Sequence, residues 1–287
     1  MVNLKNSWIN DPFPHLVIDN FLEEREFDLL CHELDQSKLS LQRNFSTPLE
    51  SKSIYKNTLS ENFSMRLINQ MNSPYIKDII SKKIGSSEIM SLSDINVSSG
   101  HSPYHITKNN GFLGTHVDHS SAQNGKLRHI ANTIFYAIST WNTNWGGQTI
   151  FFSKNGFIQK VLIDTIPNRL VIFIHSANSF HGVKHYYSDE NVERRNFYHD
   201  YYVYDEDIDE VMSFINKDRS FELSHCYHGT TFIPFIPYGL NKLDFKKIFN
   251  IKNLKYLPVY LLYISNYFFG TKITSLRNIF KFGWFDR

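Results

Sequence analysis

Cysteine is nearly missing from this chain: Cys31 and Cys226 are the only two in 287 residues. They lie far apart and lack metal-ligand spacing, which argues against a disulfide framework and a zinc ribbon and fits a reducing compartment. Long apolar runs are absent too. No stretch reaches the roughly 20 residues that a membrane-spanning helix needs, and Met1 to Trp8 have no apolar core of a secretory signal. Charge of one sign is scarce, at a formal net +2, so there is no global case for a nucleic-acid partner. No internal repeat or low-complexity run is present. A cytoplasmic protein is the expectation.

Aromatic residues, by contrast, are plentiful. Phe (24) and Tyr (16) bring the aromatic share to 15%, which leans toward β structure because these rings fit a pleated surface. A hydrophobic share of 41% is enough for a folded core. Residues 12–19 read as a short entry strand, and Asn20-Phe21-Leu22-Glu23 has the form of a capping box opening a helix through about Leu34. Residues 37–60 are polar and unperiodic, so a long loop is expected there. Helical spacing returns at Phe63, Leu67, Ile68 and Met71. It returns again after Ser73-Pro74, with Gly85 placed to end that helix.

From about residue 94 the pattern changes to short Ile, Val, Phe and Tyr-rich segments between turns: Asp94–Val97, Tyr104–Thr107, Arg128–Ile138, Gln148–Ser153, Lys160–Asp164, Arg169–Ile174 and Asn196–Tyr204. Many short strands without intervening helices predict a sandwich or barrel. The division expected is 1–93 as strand and helices packing on the core, 94–210 as the β-core, and 211–287 as an extension. Residues 241–287 carry nine Lys or Arg against two Asp. Pro258 is placed to open a helix in this stretch, with Leu261, Ile264 and Phe268 on one face. Packing on the core or a dimer face is expected of it, with a membrane-surface or polyanion contact as the alternative.

Chemistry concentrates at Gly114-Thr115-His116-Val117-Asp118-His119. In an extended segment the His116 and Asp118 side chains share a face, so one metal ion can take both. With His181 they make two imidazoles and a carboxylate, the facial triad of non-haem Fe(II) oxygenases. His119, His175 and His185 are rival ligands. His119 faces away from His116 in an extended strand, and His175 lacks the Gly-Val that follows His181.

Residues 110–204 resemble the prolyl 4-hydroxylase-like branch of the Fe(II)- and 2-oxoglutarate-dependent dioxygenases. The resemblance runs through Phe112-Leu113 before His116-Val117-Asp118, Tyr136 to Trp141, Trp145-Gly146-Gly147-Gln148, Pro167 to Phe173, His181-Gly182-Val183, and Arg195 ahead of Val203. It implies an α+β chain with a double-stranded β-helix (jelly-roll, cupin-like) core, N-terminal flanking helices and a C-terminal extension. It also implies hydroxylation of an unactivated C–H bond, with release of succinate and CO2. The implied catalytic metal ligands are His116, Asp118 and His181 for Fe(II). Arg195 and Tyr136 are implied to bind 2-oxoglutarate, with dioxygen as the other cosubstrate and ascorbate as reductant. Strand alternation sends Arg194 and Arg195 to opposite faces, so Arg194 is the rival anchor. Trp141 and Trp145 read as packing residues, and Gly146-Gly147 as a turn. Two other classes stay open: a non-catalytic jelly-roll protein, and a zinc-dependent hydrolase, whose His-x-His-x-Asp-His signature His116-Val117-Asp118-His119 partly resembles but which requires His where Gly114 stands. The substrate, a prolyl side chain in a protein or a small molecule, is not legible.

Overall fold

The computed structural model describes residues 7–37, 40–46, 49–56, 63–86, 88–91, 93–94, 103–119, 121–123, 126–154, 156–176, 178–190, 192–207, 211 and 231–232. Its strands are β1 (His15–Ile18), β2 (Ser40–Ser46), β3 (Glu50–Lys56), β4 (Met90–Ser91), β5 (Tyr104–Thr107), β6 (Phe112–Val117), β7 (Ser121–Ala122), β8 (Leu127–Tyr136), β9 (Thr149–Phe152), β10 (Gln159–Ile163), β11 (Leu170–Ile174), β12 (His181–Val183), β13 (Arg194–Tyr204) and β14 (Thr231–Phe232). The helices α1 (Glu24–Gln36), α2 (Phe63–Met71) and α3 (Pro74–Ile84) precede the main run of strands.

Every strand pairing is antiparallel, in the order β1-β11-β8-β13-β5-β3-β6-β12-β9-β10. This path divides into β11-β8-β13-β5 and β6-β12-β9-β10, joined through β3. Consecutive strands alternate between the two halves: β5 lies in one, β6 in the other, β8 back in the first, β9 and β10 in the second, then β11, β12 and β13 in turn. That winding is a double-stranded β-helix.

The two faces of β13 define the layers. Phe197, Tyr201 and Val203 belong to the large apolar cluster shared with Leu30 and Leu34 of α1, Leu67 and Met71 of α2, and Ile76, Ile80 and Ile84 of α3. The helices therefore cover the outside of the first sheet, as period-two alternation against a 3.6-residue stripe requires. Phe135, fully buried, meets Phe21 and Phe27 there at ring separations of 5.9 and 6.1 Å. Burying one such side chain contributes about 1.5–3 kcal/mol. Between the two sheets lies a second cluster, Phe13, Tyr136, Ile138, Phe151, Ile163, Val171 and Phe173.

α3 forms as its sequence predicts. Ser73 accepts a hydrogen bond from Ile76 N at 3.4 Å, Pro74 takes the first turn, and Gly85 closes the helix at φ 75°. α1 differs. Its N-cap is Glu23, with no side-chain capping bond, and Asn20 is in the left-handed region at φ 52°. The expected capping box is replaced by a distant amide: Asn168 Oδ1 accepts from Leu22 N at 2.9 Å, and its Nδ2 donates to Leu22 O at 2.8 Å.

The expected loop at 37–60 instead contains the β2–β3 hairpin. Its polarity misleads because β3 is held by main-chain pairing to β5 and β6 as well as to β2, and such pairing needs no apolar run. Of the strand expected at 94–97, Asp94 sits in a turn, where it accepts from Ser91 N and Lys77 Nζ, both at 2.7 Å. Residues 95–97 lie outside the described residues. So does most of the extension, including the helix expected at Pro258 and its dimer or membrane contact. The exceptions are Val211, packed in the helix-covered core, and β14, paired with β6.

Candidate active site

β6 and β12 pair so that His116 stands directly opposite His181. Cross-strand partners project from the same face, and the two rings are 4.2 Å apart. Asp118, one residue past the end of β6, places Oδ1 3.3 Å from His116 Nε2 and Oδ2 3.3 Å from His181 Nε2. The three ligand atoms lie within 4.8 Å of one another.

Backbone carbonyls set the tautomers. His116 Nδ1 faces Gly114 O at 2.8 Å and His181 Nδ1 faces Ser179 O at 2.9 Å. A carbonyl only accepts, so each Nδ1 carries a proton, which leaves Nε2, on the side of the carboxylate, as the nitrogen that can ligate a metal. Burial lowers the pKa of His116, and neighbouring His181 lowers it further against the pull of Asp118. Burial pushes Asp118 upward, but His181 and His116 outweigh it and hold the carboxyl well below its ordinary value. Two imidazoles that offer Nε2 and an ionised carboxylate form a donor set that fits a divalent iron.

The arginines part as strand alternation demands. Arg195 points to the helix side and pairs with Asp35 of α1 and with Glu193 at 3.4 Å. It is thus separated from the triad, and the expectation that Arg195 shares one pocket with Tyr136 does not match its direction. Arg194 points inward and is 2% exposed. Its guanidinium lies 5.1 Å from the Tyr136 ring centre. It donates to Gly147 O at 2.8 Å, Asn196 Oδ1 at 2.9 Å and Thr149 Oγ1 at 3.2 Å. Tyr136 OH is 2.7 Å from the same Thr149 hydroxyl. Among the described residues no carboxylate pairs with this buried cation, and burial lowers its pKa.

Gly147 does more than turn the chain. At φ 74° its carbonyl accepts from both Arg194 and Thr165, and a Cβ there would stand 2.7 Å from the Trp141 ring. Trp141 packs against Trp145 and Tyr186. Asn132, unremarked in the sequence, donates to Asp118 Oδ2 at 2.5 Å. His119 contacts Tyr202 OH at 2.9 Å, and His175 contacts the main-chain oxygen of Asp118 at 3.2 Å. His119, His175 and His185 are outside the three-residue cluster.

Residues 102–199 match the family model described as the 2OG-Fe(II) oxygenase superfamily. The matched stretch runs from just before β5 to the middle of β13 and includes His116, Asp118 and His181. Fe(II) is the metal of 2OG-Fe(II) oxygenases, and 2-oxoglutarate and dioxygen are their cosubstrates. No curated protein matches the chain in sequence. Among solved structures, a Pseudomonas putida prolyl-4-hydroxylase is similar at 14% identity and a TM-score of 0.46, over 69% of this chain and 92% of that one. A prolyl hydroxylase from Trichoplax adhaerens, in complex with a hypoxia inducible factor peptide, is similar at 20% identity and 0.47, over 67% and 84%. The viral collagen prolyl hydroxylase of Paramecium Bursaria Chlorella virus-1 is similar at 12% identity and 0.45, over 68% and 99%.

Proposed function

We propose that the protein is an Fe(II)- and 2-oxoglutarate-dependent dioxygenase that hydroxylates an unactivated C–H bond, on a prolyl side chain in a protein or on a small molecule. The observation that carries this reading is that two groups border the apolar cluster between the sheets: the His116, Asp118 and His181 set, against Phe173, and a buried guanidinium, over Tyr136, that has no carboxylate partner among the described residues. A cation in such a place is costly unless an anion neutralises it. The far carboxylate of 2-oxoglutarate supplies that anion, and a planar guanidinium suits it through paired hydrogen bonds.

In this reading His116, Asp118 and His181 hold the metal. When bound, Fe(II) supplies activation of dioxygen coupled to decarboxylation of the 2-oxo acid, giving succinate and CO2. Arg194 takes the distal carboxylate, and Tyr136 and Thr149 offer hydroxyls beside it. Asn196 and Gly147 aim the guanidinium through their acceptor oxygens.

Anaerobic titration with Fe(II) and then 2-oxoglutarate tests the proposal. A visible metal-to-ligand charge-transfer band should grow to saturation with 2-oxoglutarate. Its absence at saturating Fe(II) would remove the dioxygenase reading.

A further inference from the structure

Asp118 is the least buried member of the cluster, with its side chain 22% accessible against 3% for His116 and 7% for His181. Both histidines are anchored in paired strands; Asp118 is past the end of its strand. Side chains from other elements hold it instead. Asn132 of β8 donates to its Oδ2 at 2.5 Å. His175, next after β11, stands 3.2 Å from its main-chain oxygen, and His129 Nδ1 stands 2.7 Å from that of His119. These oxygens only accept, so both ring nitrogens donate.

The three rings form a column. His175 and His129 are 4.4 Å apart and His129 and His119 4.7 Å, each pair inclined by 19°. The column ends on Tyr202 OH, which also approaches Asp200 Oδ2 at 3.4 Å. It ties the segment that bears Asp118 to β8 and β13 without help from β6.

Asn132 shows which requirement it serves. It is 5% exposed, and its amide oxygen makes no hydrogen bond among the described residues, only an interaction with the His129 ring outside hydrogen-bonding geometry. A leucine of similar size would relieve that buried oxygen, so the fold alone gives little reason for an amide here. The carboxylate beside it does.

We infer that Asn132 and His175 are positioning residues that aim the Asp118 carboxylate toward the metal held with His116 and His181. This rests on the triad binding a metal as proposed above. Donors behind ligating groups fix ligand orientation, and their loss weakens metal binding by about tenfold to a hundredfold.

Co(II) alone is the probe, titrated anaerobically into the metal-free full-length protein, with affinity, the visible d–d spectrum and the thermal midpoint of the metal-free form as readouts. Asn132→Leu should weaken Co(II) by about tenfold or more and alter the d–d bands, while the metal-free midpoint stays level or rises. His175→Leu should weaken Co(II) as well, and His175→Gln, which keeps a donor, should restore it. That pair decides the matter if Asn132→Leu fails to fold. Co(II) affinities within twofold of the unsubstituted protein in both leucine variants would overturn this inference alone. An unsubstituted protein that binds no Co(II) would overturn the dioxygenase reading with it.

Discussion

Arg194 and Arg195 are neighbours with opposite fates, and their roles turn on one step of strand register. Replacing Arg194 with Met should raise the KM for 2-oxoglutarate by about a hundredfold or more, since a truncated partner of a charged hydrogen bond costs about 2–5 kcal/mol, and leave Co(II) affinity within twofold. Replacing Arg195 with Ala should leave that KM nearly unchanged and instead lower stability slightly, through the lost Asp35 contact. Steady-state kinetics with 2-oxoglutarate varied distinguishes them. His199 makes a different prediction. It is 2% exposed on the helix side of β13, and burial pulls its pKa from 6.5 to about 4. As pH falls below 6.5 the unfolded chain binds the proton first, so this contribution to stability is complete above neutrality and drains away between 6.5 and about 4. Urea unfolding of the unsubstituted protein and of His199→Leu should show their stability difference shifting by roughly 2 kcal/mol between about pH 7.5 and 5. Other buried histidines cancel in that comparison. At this scale the triad was legible because His116 and Asp118 form a local pattern and His181 has its own neighbours. Thr149, Asn132 and Asn196 were not, since a polar residue in a strand carries no motif.

Among the elements, the best-read pieces are those whose determinants are local. α3 has its cap, its proline and its terminal glycine within the segment itself. The start of α1 was misread because the amide that fixes it comes from Asn168, 146 residues away. Asn168 is itself at φ 58°, a conformation that alanine takes at a cost. Asn168→Ala should therefore destabilise the fold by about 1–3 kcal/mol, the cost of leaving buried Leu22 groups unpaired. Chemical denaturation measures it, and an unchanged midpoint would mean that α1 does not depend on this link. The β2–β3 hairpin was illegible for a related reason. Strands recruited by main-chain pairing onto a preformed edge need no apolar alternation of their own.

Across the whole molecule, the division at residues 93 and 210 reads as a sequence of segments, yet one sheet runs through all three. β1 and β3 enter it from the first, and β14 from the last. Removing residues 211–287 should therefore do more than trim a tail. It strips β14 from the edge of β6 beside His116 and leaves unpaired main-chain groups there, which are a template for another chain. The truncated protein should self-associate at concentrations where the full chain is monodisperse, as light scattering would show, and its Co(II) affinity should fall.

The pairing of β14 with β6 also has a meaning in time. A chain is made from its N-terminus at about 5–20 residues per second, and about a hundred residues separate Val117 from Thr231. The margin of β6 that bears His116 thus waits for its last neighbour for roughly ten seconds after it emerges, longer than a hairpin needs to form. Newborn chains on one messenger are exposed to one another at this margin, where unpaired main-chain groups can template pairing between chains.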